Sequence, residues 1–203
     1  MDYLPRLYAI LDTLLVDDGA LFESAVKLAS AGATLIQYRN KSENARQILE
    51  HGLELRRRLG PSVKLIMNDR ADLALAAGFD GVHVGQDDLL PASARKVISD
   101  RMWLGVSTHN PGQVTEADMT SANYIAVGPV FATSSKDKPD PVIGLEGVAR
   151  ARALTKKPLV AIGGINRRNC RLVIEAGADS VAVIADLLPE PRKSAEEFLR
   201  ILG

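Results

Sequence analysis

Several common chemistries are excluded by what the chain lacks. Its 203 residues contain one cysteine, Cys170, which cannot form an internal disulfide and reads as a core residue. No charge excess points to nucleic acid or another polyanion as partner, because Lys+Arg 25 balances Asp+Glu 25. No apolar run approaches the roughly 18 residues of a membrane span. The opening MDYLPRLYAILD has neither the basic segment nor the long apolar stretch of a secretory signal, so a soluble protein of the reducing cytoplasm is expected. No GxGxxG follows the first apolar run, no Cys/His cluster suggests zinc, and no Ser-His-Asp or Cys-His order is apparent.

What is present is a regular beat. Runs rich in Val, Ile and Leu occur at LYAIL (7–11), TLIQYR (34–39), KLIMN (64–68), GVHVG (81–85), WLGVS (103–107), YIAVGPV (124–130), PLVAIGG (158–164) and SVAVIA (180–185). Segments of helical period separate them. In LFESAVKLASAG, Phe22, Ala25, Val26 and Ala29 are expected on one face, with Gly32 as terminator. The runs are continuous rather than alternating, as in strands covered on both faces. Eight strand-then-helix units predict a single (β/α)8 TIM barrel over 1–203, with short third and fourth helices. A doubly wound open sheet is the rival.

In a barrel, function belongs at the carboxyl ends of the strands, and polar residues gather at those ends. Gln37, Arg39 and Lys41 in QYRNK fall at i, i+2 and i+4, so an extended chain turns all three to one side, where a cation pair suits a polyanion; the alternative is a solvated strand end paired with surface acids. In MNDR, Asn68 and Asp69 can both reach the mouth only if the chain turns there. Asp69 alone reads as a helix cap. The neighbouring GQDD changes this reading, since Asp69 and Asp88 with a phosphate could share a Mg²⁺ that keeps several waters. Gly163 and Gly164 of AIGGI either let backbone N–H groups approach a second phosphate or form a plain left-handed turn, ahead of a helix expected to begin near Asn166. His109 serves as acid/base or orients the next turn; His83 reads as a packed or second-layer group and His51 as exposed. The long loop GPVFATSSKDKPDPVIG (128–144) calls for a function, because structureless loops of that length are uncommon in compact domains.

QYRNK, NDRADLAL, GVHVGQDD, LGVSTH, YIAVGPVFATSSK, AIGGI and EAGADSVAV, in this order and spacing, resemble the thiamin phosphate synthase family over nearly the whole chain. The resemblance implies a Mg²⁺-dependent transferase joining a phosphorylated pyrimidine, 4-amino-5-hydroxymethyl-2-methylpyrimidine diphosphate, to a thiazole phosphate with release of pyrophosphate. By position, Gln37, Arg39, Lys41 and Asn68 would hold the pyrimidine diphosphate and Asp69 and Asp88 the Mg²⁺. Ser107 and Lys136 would meet the diphosphate, and Thr133, Ser135 and Gly164 the thiazole phosphate. Ile184 and Ala185 stand where the family has an aliphatic residue followed by serine, so a backbone donor is kept and a hydroxyl lost. The loop after the sixth strand becomes a bridge between the two anion stations and a cover over the mouth. The alternatives are the related thiazole tautomerase, with His109 as acid/base, a non-catalytic phospholigand-binding barrel, and a sugar-phosphate isomerase. The resemblance leaves a homodimer open and implies neither a nucleic-acid nor a membrane partner.

Overall fold

The computed structural model describes residues 4–41, 44–133 and 140–203. Strands and helices alternate throughout: β1 (Leu7–Asp12), α1 (Asp18–Ser30), β2 (Leu35–Arg39), α2 (Ala45–Leu59), β3 (Lys64–Asn68), α3 (Ala71–Ala76), β4 (Gly81–Val84) and α4 (Pro91–Val97). The second half follows as β5 (Trp103–Thr108), α5 (Pro111–Asp118), β6 (Tyr124–Val127), α6 (Gly144–Leu154), β7 (Leu159–Ile162), α7 (Cys170–Glu175), β8 (Ser180–Val183) and α8 (Pro191–Leu202). Each strand pairs in parallel with the next, and β8 pairs with β1, so the sheet closes into a barrel. The expected (β/α)8 architecture is found, and closure rules out the open sheet. No helix among the described residues is long and apolar enough to cross a membrane.

Strand alternation divides the apolar residues into two cores. Leu7, Ala9 and Leu11 of β1 join the large cluster beneath the helices, whereas Tyr8 and Ile10 join Leu35, Ile66, Tyr124, Ala126, Val160 and Ala182 in the cluster inside the barrel. The buried stripe of α1 is rotated from the expected one. Leu21, Ala25 and Leu28 are fully buried, while Val26 is exposed, because the two leucines carry the larger apolar area. The last three strands end earlier than their apolar runs, at Val127, Ile162 and Val183. After Ile162 the backbone of Gly163 and Gly164 turns into the left-handed region (φ 101° and 63°) and leaves the ladder.

Below the strands, at the face opposite their carboxyl ends, one device occurs three times. Arg56 of α2 donates to the carbonyls of Gly60, Val63 and Gly78 and to the Asp80 carboxylate, which also accepts from the Leu65 N–H. Arg95 of α4 donates to the carbonyls of Ser99, Met102 and Ser121 and to Asn123 Oδ1, which accepts from the Leu104 N–H. Arg152 of α6 donates to the carbonyls of Thr155 and Lys157 and to Asp179, which accepts from the Leu159 N–H. Each arginine ties an even-numbered helix to the loops entering two consecutive strands. Together they satisfy carbonyls that regular structure leaves over.

Candidate active site at the strand carboxyl ends

The opposite face carries a cavity of about 440 Å³. Gln37, Arg39, Lys41 and Asn68 all line it. Buried Gln37 donates from Nε2 to the Tyr8 hydroxyl at 2.8 Å. Arg39 lies opposite Asp12 in the β1–β2 register and is ion-paired to that buried carboxylate through Nη1. The second oxygen of Asp12 accepts the Leu14 N–H at 3.0 Å, so Asp12 is fixed from both sides and fixes Arg39 in turn. Asn68 Nδ2 is buried without a hydrogen-bond partner. An unmet buried donor costs about 1–3 kcal/mol, so a ligand acceptor in the cavity would complete it.

Asp69 and Asp88 also line the cavity. The turn required to bring Asn68 and Asp69 to the same side occurs at Asp69 itself, the one non-glycine residue with positive φ (61°) among those described. Its N–H still donates to the His83 carbonyl at 2.8 Å, after which the chain bends away. Asp69 does not cap α3, whose N-cap position is Arg70 without a side-chain bond. Its carboxylate instead meets Lys41 Nζ at 2.5 Å. Burial and a hydrogen bond with Asp88 push the Asp69 carboxyl up to about 6 against the pull of Lys41. Asp88 is held by the Gly85 N–H at 2.8 Å. Two hard-oxygen carboxylates in contact suit a divalent cation that neutralises both. Among the described residues no three His, Cys, Asp or Glu side chains converge as a metal group, so such an ion would draw its remaining ligands from water and substrate, a pattern that fits Mg²⁺.

Along the cavity floor runs a line of polar side chains whose full extent the sequence did not reveal. Tyr8 and Tyr124 hydroxyls are 2.9 Å apart, Tyr124 meets His83 Nδ1 at 3.0 Å, and His83 Nε2 meets Ser107 Oγ at 2.9 Å. Burial raises both phenols and lowers His83 to about 4, so the imidazole is neutral near pH 7. His83 is packed, one of the two readings expected of it, but it lines the cavity rather than lying behind it. Gly105 makes the arrangement feasible: a Cβ there would fall 2.1 Å from Tyr124 Cζ and 2.4 Å from His83 Nδ1. His51 departs from expectation, being half-buried with Nδ1 2.9 Å from the Tyr38 hydroxyl.

Across the mouth, Thr133, Gly164, Ile184 and Ala185 line the same cavity, as does Ser107. A Cβ on Gly164 would lie 2.5 Å from the Ala132 carbonyl, so glycine is required by packing as well as by φ. The helix after AIGGI begins at Cys170, four residues later than expected. Its approach turn spends the N–H groups of Asn166, Arg167 and Arg168 on Asn169, Asp186 and Asn166, so no phosphate-binding helix start exists at that point. Anion contacts here would fall to the backbone around Gly164 and Ala185. His109 donates from Nδ1 to the Gly128 carbonyl at 2.7 Å, with Nε2 3.5 Å from Asp140. Ser135 and Lys136, and with them the centre of the 128–144 loop, lie outside the described residues.

Missed by the sequence reading was Asp12, the inward-facing acid at the end of β1. Its signal was present: it follows Tyr8 and Ile10 at strand period two.

The family model for thiamine monophosphate synthase matches residues 7–187. A thiamine-phosphate synthase of Koribacter versatilis is 59% identical over 203 residues, covering 98% of this chain and 96% of its own. One from Chloroflexus aurantiacus is 46% identical, covering 89% and 83%. The solved thiamine phosphate pyrophosphorylase of Pyrococcus furiosus shares 34% identity with a TM-score of 0.87, covering 97% of this chain and 95% of that one. A 3-hexulose-6-phosphate synthase, at 19% identity and TM-score 0.76, shares the fold alone. With a barrel whose mouth brings cations, a carboxylate pair and a glycine turn to one cavity, the chain belongs to the thiamine monophosphate synthase family.

Proposed function

We propose that the protein is a thiamin phosphate synthase, joining 4-amino-5-hydroxymethyl-2-methylpyrimidine diphosphate to 4-methyl-5-(2-phosphoethyl)thiazole with release of pyrophosphate, or to its carboxylated form with release of pyrophosphate and CO2. The observation that carries this reading is the convergence of Gln37, Arg39, Lys41 and the orphaned Asn68 amide beside the Asp69–Asp88 pair in one cavity. In the reaction the pyrimidine methylene C–O bond breaks, its electron pair leaves with the diphosphate, and the thiazole nitrogen closes the new C–N bond on the resulting carbocation. The attacking nitrogen carries no proton, so no general base is needed.

Arg39 and Lys41 would neutralise charge growing on the leaving diphosphate, and one such oriented donor is worth on the order of 3 kcal/mol. Contact with Asp12 uses Arg39 Nη1, and a guanidinium carries five N–H donors, so the fork retains capacity for phosphate. Asp69 and Asp88 would hold Mg²⁺, which supplies further charge neutralisation at the diphosphate oxygens. Ser107 and Lys136 are assigned to the diphosphate and Thr133, Ser135, Gly164, Ile184 and Ala185 to the thiazole phosphate; the roles of Lys136 and Ser135 rest on the family resemblance. His109, with its ring pinned to the Gly128 carbonyl, is assigned an orienting role rather than proton transfer.

Purified protein with both substrates and Mg²⁺ should form thiamin phosphate and pyrophosphate in equal amounts, and Asp88→Ala should sharply lower turnover at fixed Mg²⁺. No product at saturating substrate would sink the assignment. Loss of synthesis in a folded His109→Ala protein would overturn the orienting role and place His109 in the chemical step.

A further inference from the structure

The buried line from Gln37 to Ser107 has a direction. Five side chains take part, from β2, β1, β6, β4 and β5 in turn, so the line crosses the interior of the barrel along the cavity floor, with Tyr8, Gln37, His83 and Ser107 lining the cavity and Tyr124 behind them. Gln37 spends an amide N–H on Tyr8, so the Tyr8 oxygen accepts at that contact. Tyr8 must then place its own hydrogen elsewhere, and the Tyr124 oxygen at 2.9 Å is its acceptor. Tyr124 in turn donates to His83 Nδ1 at 3.0 Å. A neutral imidazole carries one N–H, so occupation of Nδ1 as acceptor places that hydrogen on Nε2, facing Ser107 Oγ at 2.9 Å. Ser107 therefore accepts from the histidine and has its hydroxyl hydrogen left for the cavity it lines.

With the Gln37 amide nitrogen facing Tyr8, the opposite direction leaves a hydrogen stranded. Were His83 to donate from Nδ1, Tyr124 would donate to Tyr8, and the Tyr8 hydrogen would face two donors with no acceptor. A buried unmet donor is the costly outcome. The alignment is also sterically built, since the His83 and Tyr124 rings stack at 28° with centroids 5.5 Å apart over Gly105, the only residue type that leaves room for them.

We propose that Tyr8, Tyr124 and His83 are positioning residues that transmit the donor sense of the Gln37 amide across the barrel and fix Ser107 as a hydrogen-bond donor toward the diphosphate end of the substrate. The last clause rests on the synthase reading; the tautomer of His83 does not.

The chain has three histidines, so the test is tractable by ¹⁵N NMR of histidine-labelled protein at pH 8, with His83→Gln to assign the signals. Expected is a His83 signature with hydrogen on Nε2 and a bare, accepting Nδ1. Hydrogen on Nδ1 overturns the proposal whether or not the protein makes thiamin phosphate. In the synthase assay, Tyr124→Phe should lower kcat about tenfold with little change in KM for the diphosphate, the size of one misdirected hydrogen bond. In a Ser107→Ala background the same change should cost nothing further, because the group it orients is gone. Independent, multiplying losses in the double variant would overturn the coupling.

Discussion

Asp69 holds its carboxylate where two influences raise its proton affinity and one lowers it. Burial is the larger cause of the value near 6, contact with Asp88 the second, and Lys41 opposes both. Asp88→Asn should therefore move the Asp69 carboxyl only part of the way back toward its ordinary 3.8, because burial remains. A carboxyl-carbon NMR titration in chelator-treated buffer measures this, and an unmoved value would exclude Asp88 as a contributor. The backbone at the same residue is costly as well: a side chain at φ 61° is uncommon outside glycine, although Asp tolerates the left-handed region better than most. Glycine would ease the turn and remove the carboxylate. The position is thus one where local ease gives way to chemistry.

Among the elements, α4 offers the cleanest separation of holding from catalysing. Arg95→Met removes a charged donor set serving the Ser99, Met102 and Ser121 carbonyls and Asn123. It should cost about 2–3 kcal/mol, given roughly 1.5–3 for a hydrogen bond to a charged group and partial rehydration of the freed carbonyls. A lower urea midpoint with unchanged kcat/KM is the expected result; unchanged stability would deny the clamp its role. The elements themselves were largely legible, because eight Val/Ile/Leu runs at regular spacing leave few topologies once crossovers must be right-handed. Gln37, Arg39 and Lys41 could be placed together from spacing alone. Asp12 was lost because the first strand was read one residue short, ending at Leu11. Tyr8 and Tyr124 were hidden by their apolar neighbours, and their hydroxyl contacts join strands far apart in sequence. The offset of α7 was not legible either, since Asn166 and Asn169 satisfy turn N–H groups without a helix. None of the three arginine clamps showed as a repeat, because the arginine and its acceptor are separated by 24 residues in one case and 28 in another.

For the whole molecule, His83 links stability to acidity. Its pKa falls from an ordinary 6.5 to about 4 on folding, through burial. Between those values the unfolded chain binds a proton that the native state refuses, so this contribution is fully present above pH 6.5 and is lost as pH falls toward 4, amounting to about 3 kcal/mol. Asp69 acts in the opposite sense, since its raised carboxyl favours the native state as pH falls below 6. His83→Gln should remove the first trend, so urea-unfolding free energies at pH 5 and pH 8 should shift in favour of the acid condition relative to the unmodified protein. An unaltered difference would mean that His83 is not held neutral. Finally, the three arginine clamps and the cavity occupy opposite ends of the barrel and share no residue. The loops that choose a substrate are therefore insulated from the contacts that seal the strands. Grafting different mouth loops onto this barrel should alter what it recognises while leaving its melting behaviour nearly intact, which makes the chain a natural chassis for directed evolution.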